Sequence, residues 1–243
     1  MKHVLEIQEL KKNYGKKSVV KGISFSMESS QVIGLLGPNG AGKTTTFYMI
    51  VGFIKANSGI IKLDDKIITK LPMFERAREG LSYLPQEPSI FRKLSVEDNI
   101  MLVLEEQGLL TKAERKDKRD FLIEEFGLVN IRKQPGYTLS GGERRRTEIA
   151  RAISTDPNFL LLDEPFAGID PKAVSDIKVV IKDLSDKGIG ILLTDHNVRD
   201  TLSITTCSHI INEGTILVSG KKEELLANDI AKDIYFGTAF EDN

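Results

Sequence analysis

The stretch Gly37-Pro38-Asn39-Gly40-Ala41-Gly42-Lys43-Thr44 constrains this chain more than any other. It fits the spacing G-x-x-x-x-G-K-[ST], follows the apolar run Val32-Ile33-Gly34-Leu35-Leu36, and predicts a helix that opens at the loop and ends near Gly52. The glycines let the backbone turn tightly and come close to a ligand, so that its N–H groups can wrap phosphate oxygens at the positive end of the helix. Lys43 supplies a point charge and Thr44 a hydroxyl for a divalent cation. The candidate nucleotide-binding set here is Gly37, Pro38, Asn39, Gly40, Ala41, Gly42, Lys43, Thr44 and the adjoining Thr45.

The 34 basic and 35 acidic side chains of the 243 residues leave a net charge of -1, so no broad field favours nucleic acid or a membrane surface. The start alternates apolar and polar residues without an apolar stretch, which predicts no export signal. No apolar run approaches the roughly 18 residues of a spanning helix. The single Cys207 has no cysteine partner for a disulfide or a metal, suits a reducing compartment, and reads as a small buried hydrophobe.

Val4 to Leu10 and Val20 to Met27 alternate like antiparallel strands with one solvated face. Lys55 to Lys66 reads as a further short strand, with Gly59 and Asp64-Asp65 as turn signals. Val32 to Leu36, Phe159 to Leu162 and Ile189 to Leu193 are near-continuous apolar runs, the pattern of buried parallel strands. Between them lie three predicted helices: Ser95 to about Gln107, Thr111 to Phe126, and Gly141 to about Ser154. Thr111 with Glu114 and Ser140 with Glu143 make capping boxes, and Gly127 stands where a C-terminal cap belongs. The expectation is one domain over 1-243: an α/β core from 1-86 and 155-243, with antiparallel strands near the N-terminus and a helical lobe at about 87-154.

Phe159 to Leu162 ends in Asp163-Glu164, a hydrophobic strand delivering two carboxylates. Asp163 would help hold a magnesium ion's water shell, and Glu164 would polarise an attacking water as general base. At Leu139-Ser140-Gly141-Gly142-Glu143, two glycines in the first turn of a helix cost about 1 kcal/mol each, which a cap alone explains poorly. Close approach to a ligand explains them better, making Ser140, Gly141 and Gly142 a second anion site.

These three motifs, in this order, resemble the nucleotide-binding subunits of ABC transporters over almost the whole chain. The resemblance implies a RecA-like core, the cofactors ATP and Mg²⁺, and further roles. Tyr14 resembles the aromatic that stacks on adenine. Gln86 resembles the lobe-joining glutamine that touches Mg²⁺ and water. Asp170 resembles a loop residue crossing the dimer interface, and His196 the switch histidine at the γ-phosphate. The implied catalytic set is Glu164, His196, Gln86 and Lys43, and the implied metal set Thr44, Gln86 and Asp163.

In this family the signature serine of one subunit meets the γ-phosphate held by another, so the resemblance implies a head-to-tail homodimer bridged by ATP. It implies membrane subunits docked in a groove near Gln86, with Tyr83, Phe91 and Arg92 as candidate contacts. Phe91 has a second reading, burial in the lobe. The implied place is the cytoplasmic face of an inner membrane, with no nucleic-acid partner. Longer strings, Leu84 to Ser95, Gly142 to Glu148, Pro165 to Pro171 and Thr194 to Arg199, resemble the branch that powers lipopolysaccharide export. Branched-chain amino-acid importers share much of this pattern. The rival readings are a non-transport ABC ATPase, for which no coiled-coil insertion, zinc cysteines or second cassette is present in the sequence, and a phosphate-loop kinase, for which the signature helix has no role.

Overall fold

The computed structural model describes residues 2–237, and among these the strands form one four-stranded and one six-stranded sheet. The first sheet begins with the antiparallel hairpin of β1 (Val4–Tyr14) and β2 (Lys17–Glu28). β1 runs past Leu10 because of a bulge. Glu9 adopts a left-handed backbone at φ 46 and the register shifts there, which returns Leu10 to the buried face beside Leu5 and Ile7.

β3 (Val32–Leu36) feeds the glycine loop and α1 (Lys43–Val51), which ends at Gly52 as the sequence predicts, with that glycine in the left-handed conformation. β4 (Ser58–Leu63) and β5 (Lys66–Ile67) complete the first sheet in the order β2-β1-β4-β5. Gly59, expected as a turn, lies inside β4 instead. A Cβ at Gly59 would sit 2.6 Å from the Glu9 carbonyl oxygen, so the bulge opposite requires the glycine, and the turn falls at Asp64-Asp65 with Asp64 at φ 52. In α2 (Met73–Arg78) the buried Arg76 donates to the carbonyls of Met49 and Ile50 at 2.7 and 2.6 Å and to those of Leu71 and Thr69, closing the end of α1.

β6 (Leu81–Leu84) precedes the helices α3 (Val96–Gln107), α4 (Lys112–Glu125) and α5 (Gly141–Ile153), capped by Ser95, Thr111 and Ser140 as the sequence predicts. The chain returns through β7 (Phe159–Asp163), α6 (Pro171–Asp186), β8 (Gly190–Thr194), α7 (Val198–Ile204), β9 (Cys207–Asn212) and β10 (Thr215–Gly220). The second sheet has the order β10-β9-β3-β8-β7-β6, and every pair in it except β9–β10 is parallel. One apolar core fills the space between the two sheets around α1, and a second lies under α3 to α6.

Cys207 at the start of β9 is half-buried rather than sealed, and burial raises its thiol pKa. After β10 comes α8 (Lys222–Ala227). Beyond it Ala231 and Phe236 are buried with Leu36 and Leu202, while residues 238–243 lie outside the described residues.

Candidate active site

Parallel pairing sends the carboxyl ends of β3, β6, β7 and β8 to one edge of the sheet, where α/β proteins bind ligands. The loops leaving that edge carry the glycine loop, Gln86, Asp163-Glu164 and His196. Asn39, Gly40, Gly42, Lys43, Thr44 and Thr45 line a cavity of about 280 Å³ there, together with Glu164 and His196. Val19 of β2 also lines it, a residue that only the packing of the hairpin against the loop could reveal.

The loop's shape depends on its glycines. Gly37 sits at φ 145 with space for a Cβ only 2.0 Å from the Ile211 carbonyl oxygen, and Gly42 at φ 106 with only 2.9 Å to the Val19 carbonyl oxygen. α1 starts at Gly42 with no side-chain cap and no acid in its first turn, so its dipole and N–H groups face the cavity. Lys43 Nζ donates to the carbonyls of Gly37 at 2.7 Å and Pro38 at 3.0 Å. Burial lowers the Lys43 pKa while Glu164 and Asp163 oppose the shift, so a bound anion would relieve the cost of keeping it charged.

Glu164 lies at the centre of the polar groups. Its carboxylate accepts from Gln86 Nε2 at 2.7 Å and is paired with His196 Nε2 at 2.6 Å, and its backbone N–H donates to the Thr194 carbonyl at 2.8 Å. Its backbone is left-handed at φ 46, an unusual conformation for a residue with a side chain and one that concentrates at functional sites. Asp163 is buried beneath it, with its carboxyl pKa raised by desolvation, and accepts from the Tyr83 hydroxyl at 3.3 Å. Asp195, not singled out from sequence, accepts from the backbone N–H of Phe166 at 3.0 Å and of Asn197 at 2.8 Å, tying the loops after β7 and β8 together.

The remaining candidates lie apart from this cavity. Ser140, Gly141 and Gly142 do not line it; a Cβ on Gly142 would sit 2.7 Å from that of Ala173, so the start of α5 packs against the start of α6. Asp170 caps α6, accepting from the Ala173 N–H at 3.0 Å. Tyr14 sits at the hairpin end of β1, half-exposed, with Lys12 Nζ 5.1 Å from its ring centroid, and does not line the cavity either.

Phe91 is 48% exposed, which overturns its burial reading. The Arg151 guanidinium lies 5.2 Å from its ring centroid, and the fully buried Asn99 holds its backbone by accepting from the Phe91 N–H at 2.9 Å and donating to its carbonyl at 3.1 Å. One further connection was invisible in the motifs. Arg145 of α5 donates to the Pro85 and Asp163 carbonyls at 2.9 and 3.2 Å.

The ABC transporter family pattern matches residues 20–167, and the chain belongs to that family as an ATP-binding, ATP-hydrolysing subunit. It is 50% identical to the lipopolysaccharide export system ATP-binding protein LptB of Haemophilus influenzae over 98% of both chains. It is 49% identical to LptB of Escherichia coli, over 97% of this chain and 98% of that one. It is also 52% identical to a probable ABC transporter ATP-binding protein of Azorhizobium caulinodans, over 95% of this chain and 82% of that one. Among solved structures, the ADP conformation of MJ1267, an ATP-binding cassette of an ABC transporter, superposes with a TM-score of 0.86 at 25% identity, covering 97% and 99% of the two chains. Among the described residues no helix is long and apolar enough to cross a membrane.

Proposed function

We propose that the chain works as a head-to-tail homodimer on the cytoplasmic face of an inner membrane, where it powers lipopolysaccharide export through partner membrane subunits. The observation that carries the chemistry is Glu164, held between Gln86 and His196 at the mouth of a capless helix N-terminus. The cargo reading rests on near-full-length identity to two lipopolysaccharide export proteins.

The residues fit the implied ligands. The loop's N–H groups, Lys43 and Thr45 would hold the phosphates of ATP. Thr44, Gln86 and Asp163 offer a hydroxyl, an amide oxygen and a carboxylate, the hard oxygen donors that would hold a Mg²⁺. When bound, Mg²⁺ neutralises charge on the phosphates. Glu164 takes the proton of the attacking water, Gln86 and His196 hold its carboxylate, and His196 also faces the γ-phosphate. Ser140 and the glycines after it lie away from the cavity that holds Lys43, so a second copy is what brings a signature serine to the phosphates.

A mild-detergent pull-down from native membranes tests the cargo: it should recover membrane subunits carrying lipopolysaccharide. Recovery of an amino-acid importer's subunits instead would overturn the assignment. Lys43→Ala should weaken ATP binding by about 1.5 to 3 kcal/mol, the worth of a charge-assisted contact. Equal affinity by calorimetry would refute the loop's role. Tyr14→Ala should weaken ATP and GTP alike, by about 1 to 3 kcal/mol, because stacking uses the face of the base. Unchanged affinity would leave Tyr14 a hairpin residue.

Phe91 and Arg92 are both exposed, and an aromatic with a nearby Arg is a common interface anchor. Phe91→Ala should leave the isolated subunit's ATPase rate within about twofold, since surface changes usually cost little stability, while uncoupling it from membrane partners. A pull-down with undiminished partner recovery would count against it.

A further inference from the structure

This inference rests on the composite site, in which Ser140 of one copy meets the γ-phosphate held by the other. We propose that Glu143 is a competing anion at that contact, occupying the donors of Ser140 until the phosphate displaces it and so setting how tightly ATP joins the two copies. Ser140 Oγ donates to Glu143 Oε2 at 2.7 Å, and the Ser140 backbone N–H donates to the same oxygen at 2.9 Å. The reciprocal bond, from the Glu143 N–H to Ser140 Oγ, is longer at 3.4 Å.

A hydroxyl has one proton, so Ser140 cannot give it to Glu143 and to a phosphate oxygen together. The carboxyl is ionised at neutral pH, because the hydrogen bonds from Ser140 hold it below the usual range and Arg146 adds to the shift. Arg146, the cation that acts on this charge, is shared with Asp176, its Nη1 lying 3.6 Å from Asp176 Oδ2, while Arg145 is turned to core carbonyls. The backbone at Gly141 and Gly142 is wedged against Ile169 and Ala173, with Cβ clearances of 3.1 and 2.7 Å, so the adjustment falls to the Ser140 and Glu143 side chains. An incoming triphosphate must therefore take a hydroxyl from a carboxylate and then lie beside that carboxylate. Both effects oppose association, and each acts twice in a symmetric dimer.

A glutamine at 143 still accepts the Ser140 N–H and keeps the capping box, but carries no charge. The test compares Glu164→Gln with Glu164→Gln/Glu143→Gln, measuring the dimer Kd by sedimentation with saturating Mg-ATP at about 50 mM and about 500 mM salt, which brackets strong and weak screening. The second protein should associate about tenfold or more tightly at low salt, as expected from removing a like-charge juxtaposition. Most of that gain should vanish at high salt. Its melting temperature without nucleotide reports on the cap, and Glu143→Ala, which removes charge and cap together, should still shift the Kd in the same direction. An unchanged or weaker dimer, or a gain that salt leaves untouched, would overturn the proposal. Failure of the Glu164→Gln protein itself to dimerise at any concentration would instead remove the composite site on which the proposal depends.

Discussion

Glu164→Gln should lower ATP hydrolysis by about 10² to 10⁴, the usual contribution of a general base, while leaving ATP binding intact. The amide keeps the side chain's shape, so its oxygen can still accept from Gln86, which stands 2.7 Å from the carboxylate, but it takes up no proton from water. Because ATP is then rarely consumed and bridges two copies, the protein should accumulate as a dimer with Mg-ATP. Ser140→Arg, placing bulk and charge at the second anion site, should abolish that dimer. Light scattering after gel filtration, with and without nucleotide, decides between the outcomes. A Glu164→Gln protein that remains monomeric even at high concentration, where mass action favours a weak interface, would contradict the composite site.

The largest expected loss of stability is at Arg145. Arg145 and Glu148 are 6% and 2% exposed, with Arg145 Nη1 3.5 Å from Glu148 Oε2. Glu148 also accepts from the N–H groups of Ser89 at 2.7 Å and Ile90 at 3.1 Å, so the pair joins α5 to the segment that carries Gln86. Arg145→Met leaves the buried Glu148 carboxylate without its ion-pair partner, with the more distant charge of Arg151 remaining, and should cost about 3 kcal/mol. For a domain of this size that lowers the melting temperature by about 6 to 12 °C. Adding Glu148→Gln should recover about 1 kcal/mol or more, because the two residues act as a unit. A melting temperature within about 2 °C of the parent would show that the pair contributes little. Arg145 also donates to the Asp163 carbonyl, so hydrolysis by the folded variant should fall with the loss of that support.

The residues that must contact a ligand through the backbone were legible, because the requirement appears as glycine spacing. Gly37 and Gly42 leave no room for side chains, and the sequence displays that constraint directly. Helix limits were legible for a similar reason: Ser95, Thr111 and Ser140 satisfy N–H groups within three residues of themselves, a local interaction that a local pattern records. Gly59 reads as a turn in the sequence because its partner, the bulge at Glu9, is on another strand. Sequence does not separate anchor from core at Phe91, since exposure is a property of what packs around a residue.

The sequence by itself determined the phosphate loop, the two carboxylates at the end of a buried strand, the second glycine-opened helix and the alternation of strand and helix that makes an α/β core. Each is set by the chemistry of neighbouring residues. Tertiary structure alone decided that Gln86, Glu164 and His196, from three different loops, share one carboxylate, because parallel pairing of β6, β7 and β8 brings those loops to one edge. It also decided that Ser140 lies outside the cavity, that Arg145 ties the helical lobe to Pro85 and Asp163, and that Asn99 presents Phe91 to solvent. Those are contacts between segments distant in the chain, and their energies depend on burial and approach that no local spacing encodes.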